Sequence, residues 1–301
     1  MFDFCVDPTA LDRATWSGWF QWMACYLTTA THFSFYRSFM TVIGLLLVTA
    51  PVALAFGFAG ASAARSHLPP VAWGGRIYIS AVRGVPDIVF FLFFVIALDQ
   101  GIEWFMHLFV CENTGEPVWS GSEFRVCPAA KVPRAGASAF VVSAYSFTIA
   151  VVTFAIVFGA FAANVLHGAM AAVPRAQLET AEAYGMSPRQ VFRRVLVPQM
   201  WVYALPGLSN LWLILIKATP LLFLLGIKDA VYWARELGSA KTSGNNPYPH
   251  GDWRFYYFLA LLVFYLLATR VSEIGLARLT RRLSRGQATR AGEAMRKGAT
   301  A

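Results

Sequence analysis

Two long stretches without a charged residue limit what this chain can fold into more than any other feature. No Asp, Glu, Lys or Arg occurs between Arg37 and Arg65, or from Ala135 to Pro174. An α-helix needs roughly 20 apolar residues to cross the hydrocarbon core of a membrane, so each stretch is long enough. Only 14% of all residues are charged, against about 25% in soluble domains. The sequence therefore predicts an integral membrane protein built from helices.

The pattern of apolar segments predicts five transmembrane helices. They are expected at about 37–62, 77–98, 138–163, 200–226 and 253–272. These spans divide the chain into an N-terminal segment, a membrane domain and a basic tail, at 1–36, 37–285 and 286–301. Residues 15–30 are short, polar in places and rich in Trp, which favours the membrane interface. We predict an amphipathic helix on the membrane surface there, with a sixth span as the alternative.

Basic residues are distributed unevenly between the two sides that these spans define. The side with the C-terminus holds fourteen Lys or Arg residues, and the other side holds six. Because cytoplasmic segments carry the excess of Lys and Arg, we predict a cytoplasmic C-terminus, an external N-terminus and an external loop at 99–135. The net charge of +9 is then explained by membrane topology, and nucleic-acid binding is not expected.

The polar stretch at 174–198 predicts two short helices joined at a glycine. Gly185 can adopt the left-handed conformation that ends a helix, and Ser187-Pro188 is typical of the start of the next one. Spacings of three and four residues favour one shared helix face, formed by Leu178, Ala181, Glu182 and Gly185. The sequence thus predicts a rigid elbow that another protein can approach closely.

This elbow resembles the E-A-A loop of ABC-transporter inner-membrane permeases, whose pattern is E-A-A-x3-G-x9-I-x-L-P. Four positions match: Glu179, Ala181, Gly185 and Pro198. Three positions differ: Thr180 replaces the second residue of the pattern, Val195 replaces the isoleucine, and Val197 replaces the leucine. The resemblance implies a coupling loop at 164–199 whose cytoplasmic helix inserts into a groove of a separate ATPase subunit. It assigns this ATPase-coupling role to Glu179, Thr180, Ala181, Glu182, Gly185 and Pro198.

Two shorter segments resemble the histidine/glutamine/arginine/opine branch of that family. Arg83-Gly84-Val85-Pro86 is similar to its R-G-T-P motif, and Lys217-Ala218-Thr219 is similar to the start of its K-D-T-S-L segment. The substrate pathway predicted from these segments contains Arg83, Asp87, Lys217 and Thr219. Two alternatives stay open. Arg83 and Asp87 are four apart and can form a structural ion pair on a helix, and Lys217 can extend to the membrane interface.

The resemblance also implies the fold, the partners and the location. The expected fold is all-α: a five-helix type I ABC importer permease core, with an interfacial N-terminal helix and a cytoplasmic coupling helix. The expected partners are two ATP-binding cassette subunits, a second permease subunit (a copy or a paralogue), a periplasmic solute-binding protein and membrane lipid. ATP and Mg²⁺ are expected on the ATPase, and no cofactor or metal on this chain. The implied function is ATP-driven import of a polar amino acid, basic ones included, across a bacterial inner membrane.

Two other classes of function compete with this one. The chain lacks the G-x4-G-K-[ST] phosphate-binding loop, so ATP hydrolysis is assigned to a partner. A secondary transporter or channel needs coupling-ion groups inside its spans, where only Arg83, Asp87 and Lys217 are available. An intramembrane enzyme needs a converging set of catalytic groups, and neither H-E-x-x-H nor G-x-S-x-G occurs. We therefore expect a non-catalytic membrane subunit.

The four cysteines have no Cys-x-x-Cys spacing, which disfavours a zinc site. Cys111 and Cys127 lie in the predicted external loop. An oxidising compartment permits a disulfide between them, and free thiols are the alternative.

Overall fold

The protein is built almost entirely from helices. The computed structural model describes residues 15–84, 86–112, 118–225, 227–242 and 246–283. The α-helices are, in chain order, α1 (Trp16–Leu27), α2 (Ala30–Ala64), α3 (Pro69–Gly84), α4 (Asp87–Val110), α5 (Ala139–Ala172), α6 (Arg175–Ala183), α7 (Pro188–Val191), α8 (Val197–Ala218), α9 (Ala230–Gly238) and α10 (Arg254–Leu283). A short antiparallel hairpin pairs β1 (Trp119–Ser120) with β2 (Glu123–Phe124). Turns of 3-10 helix occur at Pro128–Ala130 and Thr219–Leu225.

Five helical segments of the described chain are long and apolar enough to cross a membrane. They are Ala30–Ala64, Ile88–Val110, Ala139–Ala172, Pro188–Leu222 and Arg254–Leu283. Helix α1 has 12 residues, which gives about 18 Å at 1.5 Å per residue. It is therefore too short to cross a hydrocarbon core of roughly 30 Å. The number of spans agrees with the predicted five-helix core.

The second span lies further along the chain than predicted. The predicted span at 77–98 falls across two helices, because α3 ends at Gly84 and α4 begins at Asp87. Pro86 explains the break, since proline has no backbone N–H and disfavours a helical conformation in the residue before it. The apolar character continues across the break, so hydropathy alone did not show it. The segment that can cross the membrane is Ile88–Val110.

The predicted external loop at 99–135 begins too early, because α4 continues to Val110. Two acidic side chains caused the error, and both have partners within the protein. The Tyr145 hydroxyl donates to Asp99 Oδ1 at 2.6 Å, and Glu103 Oε1 accepts the Val132 N–H at 3.4 Å. A partly buried carboxylate with a hydrogen-bond donor does not need to lie in water, so these residues belong to a helix.

The other four spans are longer than predicted, and two of them, α5 and α10, extend well past their predicted C-terminal ends. Helix α5 runs to Ala172 instead of 163, so residues 164–172 of the predicted coupling loop are helical. Pro174 then ends the helix, because the residue before a proline disfavours the helical region. Helix α10 runs to Leu283 instead of 272, and an ion pair between Arg270 and Glu273 (3.2 Å) lies on this extension.

The chain forms two compact units. We call Met1–Leu46 with Lys217–Ala268 the aromatic unit, and Leu47–Ile216 with Thr269–Ala301 the glycine–alanine unit. The core of the aromatic unit contains Phe35, three residues of α9 and Leu261, with the rings of Phe39, Trp233, Tyr257 and Tyr265 packed against it.

The glycine–alanine unit packs around α5. In the most apolar 18-residue stretch of this helix, 72% of the residues are buried. A Cβ added at Gly57 would lie 2.6 Å from the Ala162 Cβ, and one added at Gly159 would lie 2.7 Å from the Tyr78 hydroxyl. Small residues therefore allow the helices to approach closely, as in other membrane bundles. The Tyr78 hydroxyl also donates to the Ile156 carbonyl at 2.7 Å, which links α3 to α5.

Candidate functional site

The elbow at Gly185 is built by a Schellman motif at the end of α6. Gly185 has φ +81°, and its N–H donates to the Glu182 carbonyl at 2.8 Å. The Met186 N–H donates to the Ala181 carbonyl at 3.1 Å, which completes the motif. Nothing lies within 4 Å of a Cβ added at Gly185. The backbone conformation, and not crowding, therefore requires glycine at this position.

The second arm of the elbow begins directly after the first arm ends. The Ser187 N–H donates to Gln190 Oε1 at 2.8 Å, and Pro188 occupies the first turn of α7, where its missing N–H is no loss. Both short helices predicted around Gly185 are thus present, and hydrogen bonds fix the chain on both sides of the bend.

A π-helical turn, Phe192–Leu196, connects this second arm to the fourth span. The Val197 N–H donates to the Phe192 carbonyl, and the following Pro198 has no N–H to donate. π-turns are often found at functional positions within helices. The helical run from Pro188 to Leu222 is continuous, so the second arm of the elbow and the fourth span form one helical segment.

The predicted coupling residues differ in exposure. Five are exposed: Glu179, Thr180, Glu182, Gly185 and Pro198. Ala181 is only 7% exposed, and Leu178 packs against the hydrophobic core of the glycine–alanine unit. The first half of the predicted shared face therefore attaches α6 to the chain's own bundle, and the coupling role of these residues stays a prediction. Ala181 anchors the helix, and the other five residues lie on the surface.

Sequence reasoning missed Tyr184, which is 83% exposed at the tip of the elbow. An aromatic residue inside an otherwise polar stretch was the available signal. Glu179 and Glu182 form no ion pair with any residue that the structure describes. The exposed surface of α6 thus presents two carboxylates and one aromatic ring to a partner.

The residues of the predicted substrate pathway do not share one environment. The side chains of Arg83 and Asp87 lie outside the described part of the structure, but the helix break at Pro86 separates them, so they do not lie on one continuous helix. Lys217 is exposed at the end of α8, so this chain alone does not enclose it. Thr219 is fully buried, and its hydroxyl lies 3.0 Å from that of Tyr265. A common pathway stays a prediction.

Asp229 is a second residue that sequence reasoning missed. It is fully buried and caps α9, with Oδ1 accepting the Tyr232 N–H at 2.9 Å. Its Oδ2 has no hydrogen-bond partner among the described atoms. Burial raises the pKa of this carboxyl to about 6, although the bond from Tyr232 opposes that shift. No local sequence pattern indicates this burial, since it depends on packing in the aromatic unit.

A disulfide joins Cys111 to Cys127, with their Cα atoms 6.2 Å apart. The potential ligand atoms of His107, Cys111 and Cys127 lie within 4.8 Å of one another. Sulfurs that are joined in a disulfide cannot act as thiolate ligands, so this cluster is not a metal centre in the state that the structure shows. The His107 ring instead lies against the loop, 3.5 Å from the Cys127 N–H.

Five apolar helices and an exposed, rigid elbow define a multi-pass membrane transport subunit. Residues 56–285 match the family described as "Binding-protein-dependent transport system inner membrane component". The chain belongs to this family. It is accordingly a permease subunit of an ATP-driven importer of the bacterial inner membrane.

Similar proteins cover most of the chain. It is 30% identical over 247 residues to "Arginine ABC transporter permease protein ArtQ" of Escherichia coli K12, covering 81% of this chain and 92% of that protein. It is 30% identical over 229 residues to "Histidine/lysine/arginine/ornithine transport system permease protein HisQ" of the same strain, covering 76% and 82%. A solved structure, "Crystal structure of an amino acid ABC transporter with histidines", is 20% identical with a TM-score of 0.56, covering 83% and 94%. That structure supports the type I permease fold.

Proposed function

We propose that this subunit carries a polar amino acid, with basic amino acids as the first candidates. The names of its relatives support this proposal, since two of them refer to arginine, histidine, lysine or ornithine and a third, from Agrobacterium tumefaciens, to octopine. We further propose the assembly expected for the family: two ATP-binding cassette subunits, a second permease subunit and a periplasmic binding protein.

The exposed elbow is the observation that carries the coupling proposal. Its bend is fixed by hydrogen bonds on both sides of Gly185, and its second arm continues into the fourth span. Closure of the ATPase subunits would press on Glu179, Glu182 and Tyr184, which face away from the bundle. Because the elbow is stiff, the bundle receives this displacement and opens to the other side of the membrane. Alternating access then needs no ATP site on this chain.

We propose that α6 is cytoplasmic and that the Cys111–Cys127 loop is periplasmic. Two independent observations support this orientation. The side with α6 carries the excess of Lys and Arg, and a disulfide closes the loop on the opposite side, as an oxidising compartment permits. A membrane-impermeant thiol reagent should therefore label reduced Cys111 and Cys127 in intact spheroplasts, and labelling only after lysis would reverse the orientation.

Paired substitutions on the elbow test the coupling proposal. Glu179→Lys reverses a surface charge, and Gly185→Pro removes both the positive φ and the N–H bond to Glu182. Both variants should insert into the membrane but should lose copurification of the ATPase and substrate-stimulated ATP hydrolysis. Gly185→Asn is the matched control, because asparagine tolerates the left-handed region better than other residues, and it should retain most of the activity.

The outcome of uptake assays separates this proposal from ATP-independent transport. If Glu179→Lys and Gly185→Pro both support uptake at the wild-type rate while remaining folded, the elbow is not the coupling element. If uptake persists in membranes without an ATPase subunit, a secondary transporter or channel is the better description.

A further inference from the structure

The aromatic unit contains a cavity of about 520 Å³, a size typical of ligand pockets, which have roughly 300–1,000 Å³. Its lining comes from α1, the start of α2 and the start of α10. The main lining residues are Trp19, Tyr26, His32, Tyr36, Trp253 and Tyr257. All of the lining is within one compact unit.

The cavity lies where two membrane spans begin. Its lining residues on α2 and α10 fall in the first two turns of each helix. Both helices are long and apolar enough to cross the membrane, and their first turns are rich in aromatic residues, which favour a membrane–water interface. Helix α1 also exposes Trp16 (78%) and Phe20 (51%), and aromatic residues favour this interface. The cavity is therefore within reach of membrane lipid.

The buried polar atoms around the cavity are already used within the protein. The Tyr26 hydroxyl donates to the Leu237 carbonyl at 3.3 Å. The two ring nitrogens of His32 lie 2.8 Å from the Thr29 hydroxyl and 2.7 Å from the Tyr257 hydroxyl. The Tyr36 hydroxyl donates to the Leu27 carbonyl at 3.1 Å. An occupant with buried polar groups would find few free partners and would lose free energy on leaving water, so its buried part is apolar.

An aromatic lining can also form a cage for a cation, in which the cation lies over the ring faces. Here, other rings cover one face of each of two lining residues, so that these faces cannot contact a cation. Trp253 stacks on His250 with centroids 4.4 Å apart, and Tyr26 stacks on Trp22 at 5.4 Å. No Asp or Glu is among the lining residues that the structure describes. The geometry therefore favours an apolar chain over a cation.

We propose that the cavity holds one acyl chain of a membrane phospholipid. The polar part of the lipid lies at the rim, where Trp19 and Tyr256 are 40% and 66% exposed and can contact the head-group region as interfacial aromatic residues do. The bound chain packs between α1 and the first turns of α2 and α10. It thereby holds the short N-terminal helix at the membrane surface, a role that is independent of the coupling elbow.

Quenching of tryptophan fluorescence by brominated acyl chains tests this proposal on the full, purified chain. The delipidated protein in detergent is titrated with brominated phosphatidylglycerol, and bound phospholipid is counted by native mass spectrometry. Ala260→Phe fills the cavity, since Ala260 is one of its lining residues. Ala277→Phe makes the same change at an exposed position of α10 away from it. We expect Ala260→Phe to raise the half-saturating lipid concentration roughly tenfold or more, as for loss of a pocket that encloses most of its ligand, with Ala277→Phe unchanged.

Two results would overturn the proposal. One is equal quenching and equal lipid retention in the wild type, Ala260→Phe and Ala277→Phe, which would show only general contact with lipid. The other is displacement of the bound lipid by choline or guanidinium salts at matched ionic strength, which would show a cation site. If Ala260→Phe does not fold, Leu27→Phe, at a second lining position, replaces it in the same comparison.

Discussion

The two units of the chain differ in the side chains that dominate their packing. In the glycine–alanine unit, helices approach so closely that a single added carbon at Gly57 or Gly159 would meet a neighbour at less than 3.0 Å. In the aromatic unit, the space is filled by large rings whose polar atoms are paired, as between His32 and Tyr257 (2.7 Å).

This difference predicts two kinds of sensitivity to mutation. A unit packed through small residues fails when volume is added, because the adjoining backbone cannot move aside. A unit packed through aromatic rings that carry hydroxyl or imidazole groups is destabilised when a hydrogen-bond partner is removed, because a buried polar group is then left unpaired. Matched pairs of substitutions can test each expectation separately.

The largest effect is expected from Gly75→Ala, with Gly74→Ala as its matched neighbour. A Cβ at Gly75 would lie 2.4 Å from the backbone nitrogen of Ala64, whereas nothing lies within 4 Å of one at Gly74. The end of α2 must shift to accept Gly75→Ala, and overpacking of this kind costs about 3 kcal/mol at the upper end of its usual range. Thermal melting in detergent should show a large loss for Gly75→Ala only. Equal melting temperatures would mean that the close approach is easily relaxed.

The next effect is expected from replacing the disulfide with Cys111→Ser and Cys127→Ser together. The bond closes a loop with a sequence separation of 16, and a cross-link over about 15 residues contributes about 3 kcal/mol in the chain-entropy account. The double variant should therefore melt earlier than the wild type. A reductant should lower the melting temperature of the wild type by more than that of the variant, which keeps the disulfide of Cys25. Insensitivity of the wild type to a reductant would show that packing alone holds this loop.

The features that the sequence predicted well depend on local patterns. Long apolar segments indicate the five spans, and Gly185 with Ser187-Pro188 indicates the bend and both of its arms. The left-handed φ of Gly185 follows from the residue type and its position after a helix, so no distant contact was needed to find the elbow.

The errors concern residues whose environment depends on distant contacts. Asp99 was interpreted as the start of a loop, but Tyr145 provides a donor at 2.6 Å from another helix. The sequence gives no sign that Ala181 is buried, but the packing of α6 leaves it only 7% exposed. Asp229 attracted no attention, although it is fully buried. Periodicity and hydropathy describe one segment at a time, whereas each of these three environments is formed by contacts between segments that are distant in the chain.

In the aromatic unit, Tyr257→Phe tests whether paired polar atoms matter more than ring packing. The variant keeps the ring but removes the hydroxyl next to His32 Nε2 (2.7 Å) and the Tyr26 hydroxyl (3.2 Å). Leaving a buried partner unpaired costs roughly 1 to 3 kcal/mol, and we expect about 2 kcal/mol here. Tyr256→Phe is the matched control, because Tyr256 is 66% exposed, and it should melt like the wild type. If both variants match the wild type, hydrogen bonding is not what stabilises this unit.

The smallest effect concerns Asp229, a buried carboxylate of the aromatic unit whose Oδ2 has no hydrogen-bond partner among the described residues. Its pKa is raised by burial from 3.8 to about 6, so its contribution to stability is complete below about pH 4 and is lost as the pH rises through about 6. Between about pH 5 and pH 7.5 the wild type should lose about 1 kcal/mol through this group, and Asp229→Asn should remove that dependence because the amide stays neutral.

Asp252→Asn is the control, since Arg254 lowers the pKa of Asp252 to about 2 and this group does not change its charge in that range. Melting curves at the two pH values measure the difference, and an unchanged slope in Asp229→Asn would mean that water or another group already stabilises the charged carboxylate in the folded protein. A reduced slope would show that this unit tolerates an unpaired acidic group at the expense of stability near neutral pH.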